Sequence, residues 1–225
     1  MKKHITIIGA TSAIATSVAK RYIQENPHHH LTLISRSLPK LETLKADLSI
    51  RGGLHIDIDT QLTPKEPIDV LLIATGTIDD QDVQDCIDVN FTHIAVQLQK
   101  LIPFFEKQQH GSIAVIGSVA GDRGRQSNYV YGSAKAGLER YLEGLRHHFA
   151  PHKVHVLCIK PGFVDTPMTA SFKKGLLWAT PDTIAKGILK AIQKKKSTVY
   201  LPGFWKGIMF IIKNIPEAIF HKTKL

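Results

Sequence analysis

Residues 4–8 are a short apolar run, followed at once by Gly9-Ala10-Thr11-Ser12-Ala13-Ile14-Ala15 and then by a helical pattern carrying Val18, Ala19, Tyr22 and Ile23. A strand, a turn of small residues and a helix, in that order, leave few folds open. Small residues let the backbone turn sharply, and the unpaired amides at the helix start then attract phosphate. The alternation continues. Residues 31–35, 54–58, 68–73, 112–117, 154–159 and 198–201 read as strands, and 39–51, 79–109 and 181–194 as helices. Leu41, Leu44 and Leu48 share one helical face, which Gly52-Gly53 ends, and Thr180 is a natural cap for the last of these helices. Strands alternating with helices build a parallel sheet covered on both faces.

The expected fold is therefore α/β, a single-domain Rossmann-type doubly wound parallel sheet of about seven strands. One interval breaks the rhythm. Residues 60–67 contain Pro64 and Pro67, and proline breaks helices. The helix between strands 3 and 4 is expected to be missing, leaving one flank of the sheet less covered.

A chain of 225 residues is long enough for one well-filled core. Its two cysteines, Cys86 and Cys158, are too few for a disulfide framework and fit a reducing cytosol. Both read as core thiols. No metal site is expected: His28, His29 and His30 are consecutive, read as a solvated loop, and consecutive side chains rarely converge on one ion. No secretory signal precedes the first strand. The net charge of +10 matches no nucleic-acid module, and fits either a basic solvated surface or a phosphate-bearing cofactor or substrate.

The chemistry-bearing stretch is Tyr131-Gly132-Ser133-Ala134-Lys135. It opens a helix, so Tyr131 and Lys135 lie one above the other. An ammonium beside a phenol favours the phenolate and should lower the Tyr131 pKa. Alone, such a pair also occurs as solvated helical neighbours. Here Ser118 stands at the C-terminal end of strand five, where open α/β sheets bind ligands, and Asn90 interrupts an apolar helix. Cofactor choice is read at the end of the second strand. An acidic residue there would hold a ribose 2′-hydroxyl, whereas Arg accommodates a 2′-phosphate, so Ser35-Arg36 points to NADP(H) over NAD(H).

In this order the motifs resemble those of short-chain dehydrogenases/reductases over essentially the whole chain. The resemblance implies an NAD(P)-dependent oxidoreductase transferring hydride to a ketone. Ser118 and Tyr131 would hold the carbonyl, Lys135 would tune Tyr131 and hold the nicotinamide ribose, and Asn90 would complete a proton relay. Gly9, Thr11, Ser12, Ala13 and Ile14 would take the pyrophosphate, with Ala13 and Ala15 replacing two of the family's glycines. Ser35 and Arg36 would meet the adenosine ribose, and Asp57 and Ile58 the adenine, with Asp59 as a competing alignment. Ala74, Thr75 and Gly76 would line the cofactor beside Asn90, Tyr131 and Lys135. Pro161, Gly162, Val164 and Thr166 would meet the nicotinamide. Residues 168–178 read as the segment covering the substrate, and Arg123 and Arg125 as either a solvated loop or contacts to an anionic substrate. The resemblance also implies a homodimer or homotetramer through the helix at 79–109.

Residues 203–225 stand apart from the catalytic unit at 1–202. Trp205, Ile208, Met209 and Ile212 fall at i, i+3, i+4 and i+7. A bilayer span needs about 20 apolar residues, and lysines and Pro216 interrupt this stretch. It could lie in a membrane interface, dock on its own core, or meet a second subunit. With Thr166-Pro167-Met168-Thr169-Ala170 and Ile215-Pro216-x-x-Ile219-Phe220, it is similar to a branch of the family that reduces keto sugars carried on polyprenyl phosphate. That implies a cytoplasmic protein at the inner face of the membrane, acting on a lipid-linked carbonyl. A soluble ketone or acyl-thioester reductase, and a non-catalytic dinucleotide-binding regulator, are the rival expectations.

Overall fold

The computed structural model describes residues 1–79 and 81–223. Among them, β1 (His4–Ile8), β2 (His30–Ile34), β3 (His55–Asp59), β4 (Val70–Ile73), β5 (Ser112–Ile116), β6 (His155–Pro161) and β7 (Thr198–Leu201) form one sheet. Its order is β3-β2-β1-β4-β5-β6-β7, and every neighbouring pair is parallel. From β1 the chain crosses towards β2, whereas from β4 it crosses towards β5. The connections leave this point in opposite directions, which opens a cleft at the C-terminal ends of the strands.

Two helical layers cover the sheet. On one face α1 (Ala13–Glu25), α2 (Leu38–Ile50) and α6 (Pro181–Gln193) pack on Ile5, Ile7, Leu31 and Leu33. On the other, α4 (His93–Gln108) and α5 (Tyr129–His148) pack on Leu71, Ile73, Ile113, Val115 and Val156. Each fully buried Ile or Leu contributes about 1.5–3 kcal/mol, so these faces hold the fold. The expected cap forms at α6, where the Thr180 hydroxyl accepts from the Thr183 amide at 3.2 Å.

Several boundaries differ from expectation. His30 belongs to β2, and His29 is buried, its Nδ1 accepting from the Lys3 amide at 3.0 Å, so only His28 is the solvated turn residue expected of all three. β4 begins at Val70, and the Asp69 carboxylate just before it accepts from the His4 amide at 2.8 Å. The helix expected at 79–109 starts as α3 (Val83–Ile87), capped by Asp82, and turns through a π segment at Asp88–Thr92 before α4. Residue 80 lies outside the described residues.

No helix forms between β3 and β4 among the described residues. Leu62 packs against the α4–α5 core from this connection. The strand face it leaves open is polar. His4 pairs in register with His30, and His30 with His55; Thr6 pairs with Thr32, and Thr32 with Asp57. The His4 and His30 rings stack at 4.4 Å. His4 Nε2 meets the Thr32 hydroxyl at 2.8 Å, and His30 Nε2 meets the Asp57 carboxylate at 2.7 Å.

The tail forms α7 (Trp205–Asn214) and α8 (Glu217–Phe220). Trp205 and Met209 are buried against Val119, with Ile208 and Ile212 beside them. The face predicted from the spacing thus docks on its own chain, next to the turn that follows Ser118. No described helix is long and apolar enough to cross a membrane.

Candidate active site

The turn after β1 is shaped for close approach. Gly9 has φ +75°, and a Cβ there would sit 2.8 Å from the Ala74 carbonyl carbon. Glycine therefore lets the first turn press against the loop of Ala74, Thr75 and Gly76. Ser12 caps α1, accepting from the Ala15 amide at 3.2 Å, which leaves the Ala13 and Ile14 amides at the open N-terminus. Thr11 and Ser35 share a hydrogen bond of 3.0 Å. Arg36 is exposed just beyond β2, and no carboxylate stands at that position. A groove beside Thr11 is lined by Thr16, Lys20, Lys40, Thr43, Leu44 and Asp47, with Lys20 and Asp47 paired at 2.9 Å so that Lys40 keeps its charge to offer. Lys40 escaped the sequence reasoning; its signal is its place on the first turn of α2, close after Arg36. A cradle of helix amides ending in Arg36 and Lys40 fits a dinucleotide with a 2′-phosphate.

The two residues of the competing adenine alignments sit differently on the edge strand. Asp59 ends β3 at the open edge, and its carboxylate accepts from the Thr60 amide at 2.6 Å. Asp57 sits mid-strand, engaged by His30.

Two polar side chains converge on Gly76. A Cβ on Gly76 would lie 3.0 Å from Asn90 Oδ1 and 3.4 Å from Lys135 Nζ. Asn90 is fully buried within the π segment. Its amide donates to the Thr77 carbonyl at 2.8 Å and the Cys86 carbonyl at 2.9 Å, and its Oδ1 accepts from the Thr77 amide at 3.2 Å. Such segments are rare and recur at functional sites. Lys135 Nζ donates to the Ile116 carbonyl at 3.2 Å and lies 5.8 Å from the Tyr131 ring centroid. The Ser118 hydroxyl accepts from the Ala120 amide at 3.0 Å and lies near enough to the Tyr131 phenol to draw its pKa down.

The electrostatics reverse one expectation. Burial raises the Tyr131 pKa, with Ser118 only partly opposing it. Burial also pulls Lys135 down to about 8. Desolvation outweighs the attraction expected between phenolate and ammonium. Tyr131 is thus a protonated phenol at neutral pH, poised to donate. Cys86 and Cys158 are buried beneath the cluster, and burial pushes the Cys158 thiol to about 11, so it is no nucleophile.

A second network, unseen in the sequence, braces the site from behind. Lys160 on β6 pairs with Asp122 and, at 2.5 Å, with Glu139 of α5. Tyr200 of β7 donates to Asp122 at 2.7 Å. Burial alone would lower the Lys160 pKa, but its two carboxylate partners raise it. Residues 118–122, α5, β6 and β7 are thereby tied together.

Pro161 ends β6, and Gly162 faces the tail. A Cβ on Gly162 would fall 1.9 Å from Trp205 Nε1. Phe163 stacks on Trp178 and meets Trp205 edge-on, both at 5.4 Å. Val164 pairs with Ala179, and Thr166 caps a short turn with Thr169. Arg123 reaches the tail, donating to the Ile212 carbonyl at 2.7 Å and the Ile215 carbonyl at 2.6 Å, with its guanidinium 3.8 Å over Phe220.

The chain is similar to known proteins over most of its length. The family described as short chain dehydrogenase matches residues 3–176. An uncharacterized oxidoreductase of Streptomyces coelicolor is 26% identical over 98% of this chain and 95% of its own. One from Mycobacterium tuberculosis is 29% identical, covering 78% of this chain and 73% of its own. Among solved structures, a short chain dehydrogenase from Burkholderia cenocepacia in complex with NADP superposes with a TM-score of 0.82 at 16% identity, covering 98% and 97% of the two chains. One from Sphingobium yanoikuyae in complex with NADPH gives 0.76 at 21%, covering 96% and 97%. With this fold and a family match over most of its residues, the chain belongs to the short-chain dehydrogenase family of oxidoreductases.

Proposed function

We propose that the protein is an NADP(H)-dependent oxidoreductase acting on a ketone, with Asn90, Ser118, Tyr131 and Lys135 as its catalytic residues. The observation that supports the reading is the convergence of Asn90 and Lys135 on Gly76, with the Tyr131 ring 5.8 Å from the Lys135 ammonium and Ser118 just beyond β5. A nicotinamide cofactor bound along the cleft supplies the hydride. Ser118 and Tyr131 hold the carbonyl oxygen and stabilise the charge that grows on it. Tyr131, kept protonated by burial, hands over its proton. Lys135 keeps a positive charge behind the phenol below pH of about 8. Asn90, its side-chain amide fixed by three backbone hydrogen bonds, holds the kink whose carbonyl keeps a water that relays protons towards Lys135. Arg36 and Lys40 receive the 2′-phosphate, as the NADP(H)-bound relatives of the same fold encourage.

The substrate we favour is a keto sugar on polyprenyl phosphate, as for decaprenylphosphoryl-2-keto-ribose reductase. Support comes from the rim of the cleft. Met168, Phe172, Leu176 and Leu177 are exposed in the segment before α6, and Phe204, Phe210, Ile211 and Ile219 are exposed on the tail. Lysines 173, 174, 206 and 213 stand among them. An apolar rim set with lysines suits an anionic membrane surface. In this reading 1–202 is the catalytic body, and 203–225 completes the site and meets the bilayer. Assembly is as a homodimer or homotetramer through α4, the long helix of the 79–109 segment. A soluble ketone is the second reading, favoured by similarity to carbonyl reductase family member 4 of Xenopus laevis, 25% identical over 84% of this chain.

Titration with NADPH and NADH, followed by tryptophan quenching, tests the cofactor. NADPH should bind at least tenfold tighter, and Arg36→Ala should erase the difference; preference for NADH would refute the reading of Arg36. Tyr131→Phe should bind NADPH normally yet turn over no ketone. Wild-type turnover in that variant would refute the mechanism.

A further inference from the structure

The connection between Ser118 and Tyr131 holds two polar atoms that the fold leaves unpaired. Arg125 Nε and Asn128 Oδ1 are both buried without a hydrogen-bond partner among the described residues. No described carboxylate closes an ion pair with Arg125. Its neighbour Arg123 is fully occupied by the tail. Lys160 is matched by two carboxylates. Arg125 is the exception on this wall. Burial lowers its pKa, and Asp122, already shared between Lys160 and Tyr200, only partly opposes this.

Buried donors and acceptors are nearly always paired, and unpaired cations are costly to desolvate. A donor and an acceptor left unpaired three residues apart, on the segment whose ends carry Ser118 and Tyr131, describe a subsite with both signs. The planar guanidinium fork suits an oxyanion. The amide oxygen accepts from a hydroxyl. We propose that Arg125 is the receptor for an anionic group, phosphoryl or carboxylate, on the carbonyl substrate, and that Asn128 takes a hydroxyl of the same molecule. The substrate is then an anionic, hydroxylated ketone. This rests on the site described above being the reductase site, and it narrows the substrate that the site takes.

The test uses full-length protein saturated with NADP+, so that the cofactor's own phosphate contacts are filled. Calorimetric titration is run with farnesyl phosphate, ribose 5-phosphate and levulinate. At least one should bind wild type, with tenfold or greater loss in Arg125→Met and partial recovery in Arg125→Lys, which keeps charge but not the fork. Binding of farnesyl phosphate alone identifies a lipid-linked phosphate. Ribose 5-phosphate identifies a soluble sugar phosphate, and levulinate a carboxylate. NADP+ affinity is measured in each variant and should stay at the wild-type value, which shows that the fold and cofactor site are intact. Equal binding of the probes by wild type and Arg125→Met, or binding of none by NADP+-loaded wild type, overturns the proposal. Failure of wild type to bind NADP+ instead refutes the reductase reading.

Discussion

Replacing Lys160 by Met tests whether the buried ion network braces the site. Lys160 is almost fully buried between Asp122, whose side chain has no exposed surface, and Glu139, which is 12% exposed. Met keeps most of the volume and removes the charge. Two carboxylates would then face each other in a dry wall, although Tyr200 still donates to Asp122. Removing one partner from a buried pair costs about 3–5 kcal/mol, and that remaining bond argues for the lower half of the range. In a protein of this size each kcal/mol moves the midpoint by roughly 2–4 °C, so Tm should fall by roughly 6–16 °C. The triple variant Lys160→Met, Asp122→Asn, Glu139→Gln should regain most of the loss, because the uncompensated charge and not the missing ammonium is the cause. The pairing raises the Lys160 pKa above its unfolded value, so its contribution is fully present below pH of about 10. The loss should accordingly be the same at pH 7 and pH 9. Urea titration followed by far-ultraviolet circular dichroism measures it. A loss under about 1 kcal/mol, or a triple variant no better than the single one, would refute the reasoning.

Ketone reduction should slow as pH rises past about 8, because Lys135 then loses the charge behind Tyr131; a rate profile measured from pH 6 to 10 should be flat in Lys135→Arg. The sign for stability is opposite. Lys135 binds its proton less tightly folded than unfolded, so the fold gains up to about 3 kcal/mol as pH rises from about 8 towards 10, seen as a shrinking advantage of Lys135→Met over wild type in urea titrations. Gly162→Ala must expel the Trp205 indole, since its Cβ would sit 1.9 Å from Nε1. The expected result is red-shifted tryptophan emission and a stability loss close to that of Trp205→Ala, about 3–5 kcal/mol.

The alternation of strands and helices and the absent crossover helix were legible because they rest on local signals: short apolar runs, small-residue turns, and Pro64 and Pro67. The tail spacing told which side of α7 is apolar, but not what that side meets, since Val119 lies far away in sequence. The network of Lys160, Asp122, Glu139 and Tyr200 was invisible for the same reason. The π segment at Asn90 follows from tertiary packing and has no sequence code comparable to Gly or Pro. The Tyr131 pKa was misjudged because spacing shows the nearby ammonium but not the water removed from both groups. One legible signal was missed. β1, β2 and β3 read HITII, HLTLI and HIDID: β3 is polar at every second position, and β1 and β2 at the first two of three, before Ile8 and Ile34 turn that face apolar, a pattern of strands with one thinly covered face.

That polar alternation does more than replace a hydrophobic cover. β3 is the outermost strand, with a free edge beside the bare flank. Flat apolar edges recruit strands from other molecules and begin aggregates. Here a newcomer pairing with β3 would have to bury its side chains against His55 and the carboxylates of Asp57 and Asp59, and against the histidine stack beyond them. The chain has dispensed with a helix without acquiring an adhesive edge, because the residues that water sees also repel a misplaced strand.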